Sequence, residues 1–231
     1  MTYGNPPLRE GNHKWYRNKT WSDEIATAFL AKLSRCRSAR DSFLSIQIHY
    51  LHDRLPEVAL RLADFYFETR KEDWDDGRVW MAMMTAHQII GDDEAMMDFA
   101  LRALEWQKSN PNHIININLE YAVLVATSAK HEAFDRALAA LADHEEYLTF
   151  ALDRLKFNLS HALIAAHRGD PANARRYAQS ALDAVAQSEP DLPSHPHIGL
   201  VDELDPRLLS QLEHIARTGT IPASARTAEV T

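Results

Sequence analysis

Apolar positions recur at the three-to-four-residue spacing of an amphipathic helix along most of this chain, with no run showing the alternation of a half-buried strand. Ile25, Phe29, Leu33 and Cys36 fall on one face of a first helix. Ser22 is placed to cap it, and Asp23 and Glu24 lie in the first turn, where the helix dipole favours negative charge. The same spacing predicts helices over about 41–53, 55–70, 77–90, 93–108, 118–130, 132–145, 147–168 and 171–186. Arg54-Leu55-Pro56, Gly91-Asp92 and Gly169-Asp170-Pro171 break them where tight turns are needed. Asp75 or Asp76 is placed to cap the helix carrying Trp80, and Asp92-Asp93-Glu94 opens the next in the same way. A helix with one apolar face demands a neighbour, so the pattern predicts a row of helical hairpins.

The ends read differently. Residues 1–21, with Pro6 and Pro7 and little periodicity, form an arm that Trp15, Tyr16 and Trp21 can dock. Residues 22–188 form the helical domain, and the proline-rich stretch 189–201 is a connection. A helix within 202–218 presents Leu208, Leu209, Leu212 and Ile215 to cover the last hairpin, and 219–231 is a polar tail.

Self-similarity at the length of one hairpin is the most specific signal. One unit carries Trp80, Met83, Met84, Ala86, Gly91, Asp92, Ala103 and Leu104. A second carries Ala162, Gly169, Asp170, Ala174, Ala178, Ala181 and Leu182, small residues that let helices approach closely. Two weaker units hold Phe43, Ile46, Tyr50 and Ala59, and Tyr121, Leu124, Ala137 and Leu141. Successive registers lie 37, 41 and 37 residues apart, longer than the roughly 34 of the standard repeat. Over about residues 40–188 the chain resembles the tetratricopeptide-repeat family. The glycine of the first helix is absent from every unit, and the late proline is misplaced or missing.

That resemblance implies an all-α, right-handed α-solenoid of stacked antiparallel helix pairs, with a binding groove walled by the first helix of each pair. Carried onto this register, the groove positions are His52, Arg78, Met81, Gln88, Lys130, Lys156, Leu163 and His167, together with Asp41, Leu44, Ile48, Thr85, Ala122, Ala126 and Leu159. Such a wall suits an amphipathic helix or an extended peptide bearing a few carboxylates. The Lys and Asn clamp by which chaperone-binding members hold a terminal carboxylate is missing, because Leu44 and Ile48 occupy the matching positions.

Composition narrows the function. Seven glycines in 231 residues are few for a barrel, a sandwich or a glycine-rich nucleotide-binding fold. The single Cys36 forms no internal disulfide, and there is neither a leader pattern nor an apolar run of membrane-spanning length, so a cytoplasmic protein is expected. Net charge is −8, but residues 1–40 hold eight Lys or Arg against three Asp or Glu, a local balance of +5 that leaves −13 for the remainder. Without a dense basic run or a reading helix, nucleic acid is not an expected partner.

Twelve histidines invite a metal site, and His49 with His52, or His195 with His197, places imidazoles close together, but neither pair has the supporting motif. Glu72-Asp73-Trp74-Asp75-Asp76-Gly77 superficially matches a calcium loop, yet its glycine and closing glutamate are out of step. No catalytic elbow, phosphate loop or dinucleotide fingerprint is present. The expectation is a non-catalytic, cofactor-free, metal-free scaffold that binds a protein or peptide. The alternatives are an acidic protein that neutralises a basic partner, as an antidote does, and an enzyme whose metal site escapes motif reading. Trp80, Tyr121, Phe43 and Tyr50 are expected in the core, whereas Trp74 and Trp106 are free either to pack a helix end or to anchor a partner.

Overall fold

The computed structural model describes residues 14–192, 194–195 and 198–223. Residues 1–13, with Pro6 and Pro7 of the expected arm, lie outside the described residues, as do Pro193, Pro196, His197 and residues 224–231 of the expected tail. Among the described residues the chain is all helical, and it divides into two compact units, Met1–Ile115 and Asn116–Thr231.

The first unit contains α1 (Asp23–Leu33), α2 (Arg40–Leu51), α3 (Pro56–Thr69), α4 (Asp76–Ile90) and α5 (Asp93–Ser109). Ser22 caps α1, its hydroxyl accepting the Ile25 N–H at 3.3 Å. The helix stops at Leu33, so Cys36 sits half-buried in the following turn rather than on the helical face, its thiol 3.4 Å from the Lys32 carbonyl. Arg40, first residue of α2, donates to the Thr69 hydroxyl at the end of α3 (2.8 Å), so these two helices run antiparallel. α4 packs on both, and α5 packs on α4 across a turn in which Gly91 takes φ +78°, the left-handed region glycine tolerates without strain. Asp92 then caps α5 through the Ala95 N–H.

From Lys14 onward the arm's rings meet this core. Trp15 and Tyr16 pack on Phe43 with centroids 5.3 and 4.5 Å away, and Trp15 also meets Phe29. Gln47, fully buried on α2, accepts from both the backbone and the side-chain amide of Asn18, which fixes the arm's path. Phe43, Tyr50 and Trp80 are half-buried and Tyr121 is buried, whereas the two less constrained tryptophans separate: Trp106 is packed inside and Trp74 is exposed.

The second unit contains α6 (Ile117–Thr127), α7 (Phe134–His144), α8 (Ala151–His167), α9 (Pro171–Ala186) and α10 (Pro206–Thr218). α7 and α8 start later than the hydrophobic spacing predicts, because short 3-10 turns at His131–Ala133 and Glu145–Tyr147 take the residues ahead of them. Asp153 fixes the later start of α8 by accepting the Phe150 N–H at 3.1 Å. α6 and α8 pack on each other and on their sequence neighbours. Ala174, Ala178 and Ala181, fully buried along one edge of α9, let it lie close against α8. The connection after α9 is fastened to the start of α8: Asp191 accepts the Ala151 N–H (3.0 Å) and pairs with Arg154, while the Leu152 N–H reaches the Gly199 carbonyl. α10 then covers α9 and α8 with Leu212 and Ile215, as its amphipathic pattern predicts.

Long-range polar contacts recur at the length of one hairpin. Ser42 bonds Asp75, the Trp106 indole bonds the Asp73 carbonyl, and Arg168 bonds Asp135, each across 33 residues. Lys156 meets Glu120 across 36 residues, and Arg154 meets Asp191 across 37. Ser42–Asp75 and Glu120–Lys156 join the first helices of successive pairs, whereas Trp106–Asp73 and Arg154–Asp191 each join the two outer ends of a single hairpin. No helix among the described residues is long and apolar enough to cross a membrane.

Candidate functional site

In the first unit the expected groove positions lie on neighbouring faces of α2 and α4. Ser42 of α2 donates to Asp75 at the start of α4 (2.6 Å), which ties the two helices together at one end. Asp75 occupies the N-cap position of α4 without making the capping bond expected of it; its carboxylate is taken by Ser42 and by Arg78 at 2.9 Å. Arg78 is therefore exposed but already paired, and its charge is partly neutralised from within. Met81, one turn beyond Arg78 along α4, is half-buried, Gln88, nearly three turns beyond it, is exposed, and the neighbouring Ile89 is half exposed. Thr85 turns its hydroxyl back onto the Met81 carbonyl.

His52 caps the far end of α2. Its ring stacks on His49 with centroids 4.8 Å apart, and its Nδ1 is buried without a hydrogen bond, 3.9 Å from Asp53. His49 is held below its ordinary pKa, first by burial, then by His52 and Arg78, against a smaller opposing effect of Asp53. α2, which carries His49, packs on α4, which carries Met81 and Gln88.

In the second unit His167, the last residue of α8, meets His131 at 5.0 Å and Phe134 at 5.7 Å, and His131 stacks on Phe134. Lys130 is half-buried immediately before this cluster and has no ion pair among the described residues. Lys156 pairs with Glu120 of α6 and so spans the two helices. Leu163 is 1% exposed and has no surface to offer a partner. The same holds for Leu44, Ile48, Ala122, Ala126 and Leu159, which are all buried. Asp41 is engaged by Arg40 and accepts the Lys71 N–H at 2.8 Å.

Six of the fifteen expected wall positions are thus core, four of them on α6 and α8, which are covered on so many sides that a register alone cannot pick their open face, and two on α2. His49, Glu120 and His131 are contacts the sequence reading did not place in the wall. The separation of Glu120 from Lys156, close to the repeat length, was the available signal for that pair.

Below this surface a buried acidic group serves the fold. Asp76, almost fully enclosed, accepts from Tyr66 at 3.0 Å and pairs with Arg70 at 2.7 Å. Burial raises its pKa against the lowering effects of those two partners. The phenol of Tyr66 is pushed up, mainly by burial and then by Asp76.

No group of three His, Cys, Asp or Glu among the described residues is placed to hold a metal ion; His195 is exposed and His197 lies outside the described residues. No family model matches the chain, and no match is found among curated proteins or among solved structures.

Proposed function

We propose that this chain is a non-catalytic protein-binding scaffold of tetratricopeptide-like hairpins, stacked as a right-handed solenoid, which holds a helix or an extended peptide against the first helix of each pair. The observation that carries this reading is the tying of first helices to one another, Ser42 to Asp75 across 33 residues and Glu120 to Lys156 across 36. Contacts at that spacing are what repetition of one supersecondary unit produces. The packing of α2 with α4, and of α6 with α8, supports the same arrangement, since first helices of successive pairs meet in such stacks.

The internal pairing of Arg78 and Lys156 changes the ligand that such a face suits. With those charges engaged by Asp75 and Glu120, attraction of acidic side chains falls to Lys130. In this reading the first unit offers its ligand Met81, Ile89 and the His49–His52 pair, and the second, by itself, offers Lys130 and the His131–His167 pair.

A photo-crosslinking amino acid at Gln88 tests the proposal in the native cell, with the exposed Arg102 of α5 as the control position. A discrete adduct from position 88 and none from position 102 is the expected outcome. Equal labelling from both, or none from position 88 while an adduct forms at 102, would remove the groove.

A further inference from the structure

Two features of the first unit are not used by its fold. The first is basic: Lys14, Arg17, Lys19, Lys32, Arg35 and Arg37 are all exposed, and none has an acidic partner among the described residues. They are not scattered. Arg17 lies over the rings of Tyr16 and Tyr50, at 5.3 and 6.0 Å, and Lys32 lies over Trp15 at 5.9 Å. Trp15 and Tyr16 touch each other and are seated on Phe43, so these two cations stand on one rigid aromatic base, with Lys14 and Lys19 beside it in the chain and Arg35 one turn beyond Lys32.

The second feature is Trp74, 59% exposed and the most exposed large apolar side chain among the described residues. It stands in the turn between α3 and α4 on a fixed support. His113 meets its ring edge to face at 4.6 Å, and the Trp106 indole holds the preceding Asp73 carbonyl at 3.1 Å. Glu72 and Asp73 flank it, both exposed and both without an ion pair among the described residues. Burying a tryptophan beside arginines gains apolar contact and cation–π attraction together, and tryptophan and arginine are each enriched among the residues that carry most of an interface's binding energy.

We propose that these two features are the halves of one interface, and that the chain associates with a second copy of itself by docking the Glu72-Asp73-Trp74 knob of one molecule onto the basic aromatic base of the other. Charge complementarity selects this occupant: an uncompensated cationic base and an uncompensated anionic knob stand on the same unit. Nucleic acid fits the base less well, because Trp15, Tyr16 and Trp21 are already engaged by Phe29 or Phe43, and a nucleobase that stacks there would compete with those contacts. The contact joins unlike surfaces, so each molecule retains one free half of either kind after pairing unless the pair closes on itself. This inference does not depend on the groove proposed above.

Sedimentation velocity of the full chain tests it, at about 50 mM and about 500 mM salt, which screen exposed charges to very different extents. Concentration-dependent association at the lower salt, weakened at least about tenfold at the higher, is expected. Trp74→Ala and the triple change Arg17→Glu, Lys19→Glu, Lys32→Glu should each weaken it by at least about tenfold. All four positions are on the surface, and unchanged circular dichroism separates loss of contact from loss of fold. The deciding measurement mixes the two variants. Each retains the half that the other lacks, so a one-to-one complex and nothing larger should form. A wild-type chain that stays monomeric at low salt, or association that Trp74→Ala leaves intact, or a mixture that remains monomeric, overturns the proposal. Association of the wild-type chain only when an oligonucleotide is added assigns the base to nucleic acid instead and overturns it as well.

Discussion

Around the start of α4 the first unit encloses a carboxylate, a phenol, a guanidinium and an indole, whereas along α9 the second unit encloses little more than methyl groups. The first place holds α3 to α4 and α4 to α5, and the second holds α8 to α9 within one hairpin. In the first, Asp76 must be satisfied by Tyr66 and Arg70, and Trp106 lies flat against the backbone at Gly77. In the second, Ala174, Ala178 and Ala181 need no partner beyond close approach of α8. The difference shows that one hairpin architecture is compatible with two kinds of adhesive. Buried polar groups fix a junction by geometry, because a lost partner leaves an unpaired group in a dry interior. Small residues fix it by distance, because any added volume separates the helices.

If the two junctions differ in this way, the largest effect should come where a ring meets bare backbone. A β-carbon at Gly77 would lie 2.2 Å from Trp106 Cε3 and 2.8 Å from Ile115 Cδ1, so neither side chain can keep its place. Gly77→Ala should cost about 3 kcal/mol in urea unfolding despite alanine's better helix propensity. At Gly91, where nothing lies within 4 Å of such an atom, only the left-handed backbone opposes the same change. Equal losses at the two glycines would show that the ring contact is not what holds the junction.

Ala178→Leu probes the other adhesive. Overfilling the α8–α9 contact should cost about 2 kcal/mol. Ala172→Leu, on the exposed first turn of α9, should be nearly silent. If the exposed change proved as costly as the buried one, close approach would not be the source of stability there.

The smallest effect concerns pH. His161 of α8 is stacked on Tyr177 of α9 at 4.4 Å, and burial, then Arg176, lowers its pKa to about 4 from an ordinary 6.5. A base with a depressed folded-state pKa leaves the unfolded chain holding more protons between those two values. Its contribution is therefore complete above about pH 6.5 and is lost as pH falls toward 4. With allowance for solvent screening of a partly exposed ring, the loss is on the order of 1 kcal/mol. His161→Phe should flatten that part of the stability profile while leaving the value at neutral pH nearly unchanged. An unaltered slope would assign the acid sensitivity elsewhere, to His49 or His144, both also lowered chiefly by burial.

The helices were legible in the sequence to within a few residues, because each carries at least one apolar stripe and most turns are marked by Gly, Pro or a capping side chain. Ser22 and Asp92 cap where the pattern places them. Asp75 does not, since Ser42, 33 residues away, competes for its carboxylate and no local rule contains that residue. The candidate wall was legible only in part. Along α4 the open face is set by exposed Arg78 and Gln88 between buried neighbours. Along α6 and α8 apolar residues surround the axis, so Leu163 and Ala126 look no different from residues facing a ligand until the neighbouring helices are in place. Lys156 was read as a free cation for the same reason: Glu120 is remote in sequence and adjacent in space.

The ties between neighbouring hairpins also work as an address code. Serine meets aspartate where α2 adjoins the start of α4, and glutamate meets lysine where α6 adjoins α8. A hairpin moved to a new place in the row would bring the wrong chemistry to its junction, a hydroxyl where a cation is required, or a carboxylate facing another carboxylate. The pairing of α2 with α4 and that of α6 with α8 are in this way made non-interchangeable, each written at its own seam.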